Sequence, residues 1–323
     1  MANNIRHILV AIRDPGHAPR SLLLKAVTLA KASGARIELF HAINEPVALN
    51  AVRHGGRGHS EIQIMSAVAT RKTQQLERLA RRILASDPRV SCYAEWDHPP
   101  HEAVVRRALT IGADLVIAST QPPRLGGRLL LANTDWELIR HCPCPLLLVK
   151  SVRAYNRPKV IVAVDPYHAS AKPAALDVRL LSAGAKWARL LNGATHVFHA
   201  YAPLVTTVSA AIGGTMPMWI SPEGEREHTK AIKGAFDSFA KRARIPPARR
   251  HLRLGDVSGE LAAVVKQIDA DIVVMGAVSR SGLQRVFIGN TAERTLDRLT
   301  CDALIIKPRN FKTSVSTRMP LTL

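Results

Sequence analysis

Short apolar runs alternate with amphipathic stretches along the whole chain. Ile8–Ile12 and Ile272–Met275 are runs rich in β-branched residues, a pattern typical of strands buried on both faces. Between such runs the apolar positions often recur at helical spacing. One such stretch stops at Gly34, a residue type that ends helices, and its apolar positions are Leu22, Leu23, Ala26, Leu29 and Ala30. The alternation predicts repeated strand–helix units.

The pattern predicts the same order of elements in each half of the chain. In the first half it predicts strands at 6–13, 36–42, 90–96, 114–119 and 146–150, and helices near 19–33, 60–86, 100–111 and 133–141. In the second half it predicts strands near 159–164, 194–200, 250–254, 271–276 and 303–307. Ser221-Pro222-Glu223 predicts a helix start, because a capping side chain, a proline and an early carboxylate follow one another.

The two halves also resemble each other in sequence. Ile8–Ile12 matches Val160–Val164, Phe40-His41-Ala42 matches Phe198-His199-Ala200, and Asn133-Thr134 matches Asn290-Thr291, at offsets of 152 to 158 residues. One ancestral domain has therefore been duplicated. The predicted organisation is a domain at 1–150, a linker at 151–158, a second domain at 159–308 and a polar tail at 309–323.

Strands that alternate with helices predict an α/β fold, here two tandem doubly wound domains, each with a five-stranded parallel sheet and right-handed crossovers. Ligands of such sheets bind beyond the carboxyl ends of the strands, where the strand order reverses. If the first and fourth strands of each domain are neighbours, Asp165 and Gly276 flank that crevice in the second domain.

The stretch 271–291 combines a strand, a loop of small residues and a helix start. Backbone N–H groups and the helix dipole favour an anion at such a place, and small residues let a phosphate approach the backbone. The small or charged positions of this loop are Gly276, Ser279, Arg280, Gly282, Gly289, Asn290 and Thr291. An ordinary connection between a strand and a helix, with turn glycines and a solvated Arg280, is the alternative.

Composition narrows the class of protein. The chain has 323 residues, 47% of them apolar and only 4% aromatic, and it lacks an apolar signal core or a membrane-length apolar run, so we expect a soluble, non-exported protein. Its four cysteines do not form a disulfide framework. Cys142-Pro-Cys144 has no partner pair at metal-like spacing, so small buried thiols are expected rather than a zinc site.

The formal net charge of +20 suggests nucleic acid, an acidic partner or a charged ligand. The basic residues are spread over both halves, however, and no zinc finger, basic arm or RNP aromatic pattern is present. The pairs Arg81-Arg82, Arg106-Arg107 and Arg249-Arg250 are interpreted as solvated faces.

No motif predicts catalysis. The chain has no Gly-x-Ser-x-Gly elbow, no HExxH and no Walker A lysine, so we expect no catalytic residues and no metal. His41 and His199 share one position of the repeat, which favours a hydrogen-bonded structural role over that of a general base.

Gly276-Ala-Val-Ser279, nine residues, then Gly289-Asn290-Thr291, together with Asp165 after the strand Val160–Val164, resemble the universal stress protein family. The resemblance covers nearly all of residues 5–308 and is closest to the tandem, bacterial E type. It implies an adenine nucleotide alpha hydrolase-like fold and a cytoplasmic stress-response protein, with DNA damage resistance among its expected roles. It also implies pairing, either of the two domains as an intrachain pseudo-dimer or of two chains.

The resemblance further implies ATP as a ligand of the second domain. The implied binding set is Asp165, Ala200, Gly276, Ser279, Arg280, Gly282, Gly289, Asn290 and Thr291. Asp165 can accept hydrogen bonds from ribose or adenine, although a helix N-cap or turn acid before Pro166 is the alternative. Ser279 replaces a glycine of the family pattern and Asn290 replaces a Ser or Thr, and both changes weaken the ATP prediction.

The first domain departs further from the family pattern. Arg13 stands where the second domain has Asp165, and Ser119, Pro122 and Ala132 replace the glycines. Arginine accepts no hydrogen bond and proline has no N–H, so we expect this domain not to bind ATP in the family manner. Arg13, Arg124 and Arg128 are interpreted as either another kind of anion site or solvated surface charge.

Three functions stay open from the sequence. The first is a non-catalytic stress-response regulator that binds ATP or a related anionic ligand in its second domain. The second is a ligand-free scaffold that acts through protein partners. The third is a basic nucleic-acid-associated protein, whose binding would depend steeply on salt.

Overall fold

The computed structural model describes residues 5–44, 61–84, 89–120, 133–167, 176–204, 221–276 and 290–317. These residues fall into two compact units. The first contains the described residues of 1–123, 130–155 and 309–323, and the second contains those of 156–308. Among the described residues, no helix is both long enough and apolar enough to cross a membrane.

The first unit is a parallel sheet of five strands with helices between them. Its strands are β1 (His7–Ala11), β2 (Arg36–Ile43), β3 (Val90–Trp96), β4 (Leu115–Ser119) and β5 (Leu146–Val149), in the order β3-β2-β1-β4-β5. Its described helices are α1 (Arg20–Ser33), α2 (Glu61–Leu84), α3 (Pro100–Thr110) and α4 (Asn133–His141).

The second unit repeats this arrangement. Its strands are β6 (Lys159–Ala163), β7 (Ala194–Tyr201), β8 (Arg250–Leu254), β9 (Ile272–Gly276) and β10 (Asp302–Ile306), in the order β8-β7-β6-β9-β10. Its described helices are α5 (Leu176–Leu190), α6 (Pro222–Arg242), α7 (Val257–Ile268) and α8 (Asn290–Arg298), and a short 3₁₀ helix spans Pro247–Arg249.

The predicted neighbourhood of the first and fourth strands is confirmed in both units. Val10 pairs with Ile117 between β1 and β4, and Val162 pairs with Val274 between β6 and β9. The strand order reverses there, because the chain first adds strands on one side of β1 or β6 and then on the other. The carboxyl ends of these central strands therefore border the crevice in which doubly wound sheets bind ligands.

Two predicted helix ends are also confirmed. Gly34 has a left-handed conformation with φ of 73°, and its N–H donates to the carbonyl of Ala30, which ends α1. At the start of α6 the Ser221 side chain accepts a hydrogen bond from the N–H of Gly224 at 3.1 Å. Both features fix where the helices begin and end against the sheet.

The interpretation of Arg106 and Arg107 as a solvated face is wrong. Arg106 is buried, and its guanidinium donates to both carboxylate oxygens of Asp97 at 2.6 and 2.8 Å. Arg107 donates to both oxygens of Glu38 at 2.6 and 2.8 Å and lies 3.9 Å from the ring centre of Tyr93. Adjacent basic residues on α3 thus bind two different carboxylates of the same unit.

Parts of the predicted linker and tail pack within the first unit. The buried Lys25 of α1 donates from Nζ to the carbonyl of Ser151 at 2.6 Å and lies 5.0 Å from the ring centre of Tyr155. In the tail, Val315 is buried and Ser314 is hydrogen-bonded to His141 of α4 at 3.1 Å. These contacts tie 151–155 and the described end of the chain to the first unit.

Candidate functional site

Three residues of the predicted binding set lie at one edge of the second sheet. Asp165 follows β6 by two residues, Ala200 is the next-to-last residue of β7, and Gly276 is the last residue of β9. Since Val162 pairs with Val274, the same register brings the residues just beyond β6 level with Gly276. The fold therefore places Asp165, Ala200 and Gly276 around the point where the strand order reverses.

The Asp165 side chain is mostly enclosed, with 19% of it exposed. Its backbone N–H donates to Oδ2 of Asp177, in the first turn of α5, at 3.2 Å. His199 Nδ1 lies 3.9 Å from Asp165 Oδ1, but that nitrogen donates to the carbonyl of Val164 at 2.9 Å. The backbone that carries the carboxylate is thus held at the mouth of the crevice.

Gly276 has a packing role that the sequence did not reveal. A Cβ added there would lie 3.1 Å from Cδ2 of Leu176 and 3.8 Å from Cδ1 of Leu180, both on α5. Real Cβ atoms rarely approach other atoms so closely, so a side chain at this position would require the Leu176 side chain to shift by a few tenths of an ångström. The glycine therefore allows close packing of α5 on the end of β9.

The rest of the predicted loop lies outside the described residues. This concerns Ser279, Arg280, Gly282 and Gly289, and of Asn290 only its place at the start of α8 is described. Thr291 is exposed in the first turn of α8, where its carbonyl accepts a hydrogen bond from the Thr295 hydroxyl at 2.6 Å. The contribution of this loop to binding stays a prediction.

The corresponding place in the first unit holds an ion pair. Arg13 follows β1 as Asp165 follows β6, and its Nη2 donates to Oδ1 of Asp135 at 3.3 Å. Asp135 belongs to the first turn of α4 and is 1% exposed, whereas the Arg13 side chain is 38% exposed. Arg13 is therefore exposed, as one of its two interpretations expects, and it also pairs with a buried carboxylate. Pro122, Arg124, Arg128 and Ala132 lie outside the described residues.

A cavity of about 490 Å³ lies beside this ion pair. It opens at the carboxyl ends of β1, β2 and β4, so it occupies the same topological position as the crevice of the second unit. Its lining includes Arg13, Asp14, His41, Lys72 and Ser119, and apolar residues of α3 and α4 complete the wall.

Asp14, the residue after Arg13, closes a local turn at the rim of the cavity. Its carboxylate accepts a hydrogen bond from the N–H of Gly16 at 2.8 Å and contacts Nδ1 of His17 at 2.8 Å, which closes a local turn. The His17 contact, followed by the Gly16 N–H and the charge of Lys72, holds the pKa of Asp14 below its usual value against the effect of burial. Asp14 is therefore a charged turn residue at the rim of the cavity.

The structural interpretation of the repeated histidines is confirmed. His41 Nδ1 donates to the carbonyl of Ile12, and His199 Nδ1 donates to the carbonyl of Val164, each at 2.9 Å. In both units the buried ring holds the chain as it leaves the first strand. This contact fixes the backbone next to Arg13 and next to Asp165.

The four cysteines are free thiols, of which Cys92 and Cys144 are half-buried. Cys142 and Cys301 are buried, and Cys144 Sγ lies 3.9 Å from Cys142 Sγ. The contact with Cys142 and burial raise the pKa of Cys144 well above its usual value, so this thiol stays protonated. Within the same described residues, no three His, Cys, Asp or Glu side chains converge as metal ligands.

Sequence reasoning missed two polar groups. One is Asp135, which stands where the repeat has Ala292, so a comparison of the two halves could have identified it as a partner for Arg13. The other is a pair of buried histidines, in which Nδ1 of His196 on β7 and Nε2 of His251 on β8 lie 3.0 Å apart. Only the register of the two strands reveals that second pair.

Comparison with known proteins agrees with this architecture. The model of the "Universal stress protein family" matches residues 4–150 and 156–307. "Universal stress protein E" of Photorhabdus laumondii is 26% identical over 315 residues, which cover 96% of this chain and 97% of the relative. The protein of the same name from Escherichia coli K12 is 26% identical over 326 residues, with 96% of each chain covered.

Solved structures show the same fold over nearly the whole chain. A functionally unknown protein from Pseudomonas aeruginosa PAO1 has a TM-score of 0.68 at 24% identity, with 94% of this chain and 93% of that chain covered. A universal stress protein from Archaeoglobus fulgidus has a TM-score of 0.62 at 14% identity, with 94% of this chain and 99% of that chain covered. At these identities the likeness concerns the fold alone.

Proposed function

The chain belongs to the universal stress protein family, with two copies of the family domain in tandem, and we propose that it is a cytoplasmic, non-catalytic stress-response regulator whose second unit binds ATP or a related anionic ligand. The observation that carries this proposal is the position of Asp165. Its carboxylate stands at the point where the strand order reverses, beside Ala200 and Gly276.

The residues at this end of the second sheet are chemically suited to binding a nucleoside. A carboxylate accepts hydrogen bonds only, so Asp165 is matched to ribose hydroxyls or to the amino group of adenine. Gly276 is the last residue of β9, the strand that pairs with β6, so it lies near Asp165 at the same end of the sheet. The helix N-terminus of α8, with Thr291 in its first turn, is the natural position for phosphate groups.

The two departures from the family pattern make the affinity the quantity to measure. If residue 279 needs a positive φ, serine costs on the order of 1–2 kcal/mol there. Asn290 replaces a hydroxyl with an amide, which still donates a hydrogen bond. We therefore expect weaker ATP binding than an intact glycine pattern would give, with one nucleotide per chain.

Native mass spectrometry of the full chain with added Mg-ATP tests the proposal. We expect one bound nucleotide per chain in the wild type and in Asp237→Ala, a control that removes a carboxylate of α6 in the same unit that is 39% exposed. Asp165→Ala should lose the nucleotide, and Asp165→Asn should bind it more weakly because the amide keeps one acceptor.

Three results would overturn the proposal. A chain that stays empty at millimolar ATP would leave the ligand-free scaffold as the better function. Binding that survives in Asp165→Ala but disappears in Arg13→Ala would move the site to the first unit. Binding of duplex DNA by the chain, with an affinity that falls steeply as the salt concentration rises, would favour the nucleic-acid-associated protein.

A further inference from the structure

The cavity of the first unit differs in chemistry from the crevice of the second. In the repeat, Arg13 corresponds to Asp165 and Asp135 corresponds to Ala292. The position after the first strand therefore carries a guanidinium instead of a carboxylate, and the facing helix carries an additional carboxylate. The result is the Arg13–Asp135 ion pair, with the guanidinium side chain 38% exposed and the carboxylate 1% exposed.

The charges of the described residues that line the cavity are balanced. Arg13 and Lys72 are cations, Asp14 and Asp135 are carboxylates, and His41 donates its Nδ1–H to the backbone. A triphosphate carries several negative charges and would lie against both carboxylates here. A ligand with a single negative charge matches these lining charges better, because one anionic group can contact Arg13 while the rest of the ligand stays away from Asp14.

The size and wall of the cavity point to an organic ligand. About 490 Å³ is within the usual range for small-molecule sites. Apolar wall is supplied by Ile12, Phe40, Val104 and Leu138. Arginine pairs with a carboxylate through two parallel hydrogen bonds, which gives this residue a geometric preference for that group.

We propose that the first unit binds a small organic monocarboxylate, with the carboxylate on Arg13 near Lys72 and an apolar body against Ile12, Val104 and Leu138. Asp135 acts as a positioning residue, because its buried carboxylate orients the guanidinium toward the cavity. The proposal concerns the first unit alone and does not depend on nucleotide binding in the second.

Isothermal titration calorimetry of the full chain tests the proposal with benzoate, phenylacetate and octanoate, each beside its uncharged amide. We expect at least one acid to bind with one site per chain and its amide to bind about tenfold more weakly or worse, since a charge-assisted hydrogen bond is lost. Arg13→Gln should lower the affinity for the acid by about the same factor, and Arg13→Lys should lower it less.

The control variants distinguish a loss of binding from a loss of folding, and binding in the first unit from binding in the second. Arg81→Gln removes an arginine of α2 that is 65% exposed, and it should leave binding unchanged. Because Arg13→Gln alone takes a cationic partner from the buried Asp135, the double variant Arg13→Gln/Asp135→Asn keeps a neutral pair, and it should fold but not bind the acid. Asp165→Ala should bind the acid as the wild type does.

Several results would overturn this proposal. The proposal fails if none of the three acids binds, if acid and amide bind equally, or if Arg13→Gln binds as tightly as Arg81→Gln. It also fails if Mg-ATP displaces the acid from Asp165→Ala, since the first unit would then hold the nucleotide. None of these results depends on whether the second unit binds ATP.

Discussion

Arg106 of α3 is a buried charged residue that donates to two carboxylates of the first unit. It is one of two adjacent arginines on an amphipathic helix, yet its guanidinium is enclosed and bound to Asp97 and to Glu102, the latter at 2.8 Å. The hydrogen bond to Asp97 is the largest cause of the raised pKa of Arg106. A buried pair of this kind costs free energy when one partner is removed, because the other charge is left without compensation.

We predict that Arg106→Met lowers the free energy of unfolding by about 3–5 kcal/mol. Arg81→Met is the matched control, because Arg81 is 65% exposed and lies 3.7 Å from Glu77, so its loss should cost less than about 1 kcal/mol. Urea denaturation of both variants measures the difference. Equal, small effects would mean that the Asp97 carboxylate is well solvated once Arg106 is gone.

The histidine pair His196–His251 gives the fold a dependence on pH. The rings are stacked with centroids 5.3 Å apart, and both are buried. Burial lowers the pKa of His196 to about 4, aided by the charges of His251, Arg249 and Lys159, and burial also lowers the pKa of His251. An unfolded histidine has a pKa of about 6.5, so the unfolded chain binds protons more readily than the folded one.

Stability should therefore fall as the pH is lowered from about 6.5 towards 4, by about 1–3 kcal/mol from this pair. Urea midpoints at several pH values should decline less for His196→Gln/His251→Gln than for the wild type. The carboxylates contribute the same decline to both proteins, so the difference reports the histidine pair. His98→Gln, at an exposed position, is the control and should decline as the wild type does. A double variant that declines as steeply as the wild type would contradict the prediction.

At this scale the sequence predicted little of what the side chains do. Arg107 bonds to Glu38, 69 positions away in the chain, and Arg13 bonds to Asp135 at a separation of 122. Local charge patterns contain no information on such partners, so solvated faces were the natural interpretation. The position of Asp165 was predictable because the residue follows a recognisable strand in a repeated unit. That position depends on the repeat pattern and not on distant side-chain partners.

The elements themselves were predictable for a physical reason. The central strands of a parallel sheet between helices are buried on both faces, so each of them forms an apolar run of a few residues that amphipathic helices do not contain. The predicted strand at 90–96 matches Val90–Trp96, and the predicted helix at 133–141 matches Asn133–His141. The ends of other elements shifted by one or two residues, because the ends of strands depend on pairing rather than on composition.

Two glycines inside helices test how helix packing overrides helix propensity. Alanine is favoured over glycine in a helix interior by about 0.5–1 kcal/mol. At Gly184 of α5, however, a Cβ would lie 2.3 Å from Cγ2 of Val162 on β6, whereas at Gly234 of α6 it would meet no atom within 4 Å. The same substitution therefore has opposite physical consequences on two helices of one unit.

We predict that Gly184→Ala destabilises the protein by about 1–3 kcal/mol, because α5 must move away from β6. Gly234→Ala should instead stabilise it by about 0.5–1 kcal/mol. Urea denaturation followed by circular dichroism compares the two. A stabilising Gly184→Ala would mean that α5 shifts at little cost and that its contact with β6 is less tight than the distances indicate.

For the whole molecule, not every one of the 45 basic residues contributes to the charged surface. Lys25 and Arg106 are buried, and the guanidinium of Arg107 is bound to Glu38. Cations that are buried or paired inside a unit contribute little to a surface that attracts nucleic acid. Because each ion pair also takes a carboxylate from the surface, these pairs leave the net charge of +20 unchanged.

The described end of the chain packs on the first unit, even though its sequence predicts a polar tail. Val315 is buried, and its neighbour Ser314 is hydrogen-bonded to His141 at the end of α4. We predict that Val315→Ala lowers the free energy of unfolding by about 1.5 kcal/mol, as expected for the loss of two buried methyl groups. Val152→Ala, at a position that is 86% exposed, is the matched control and should change it by less than about 0.5 kcal/mol.

Hydrogen exchange locates the effect of the tail. In Val315→Ala, and more strongly in a chain that ends at Pro308, the amides of α4 should exchange faster, while those of α7 in the second unit should not change. Because α4 also carries Asp135, the shortened chain should bind the monocarboxylate more weakly if the tail steadies that helix. Unchanged exchange in α4 for both variants would show that the tail rests on the first unit without stabilising it.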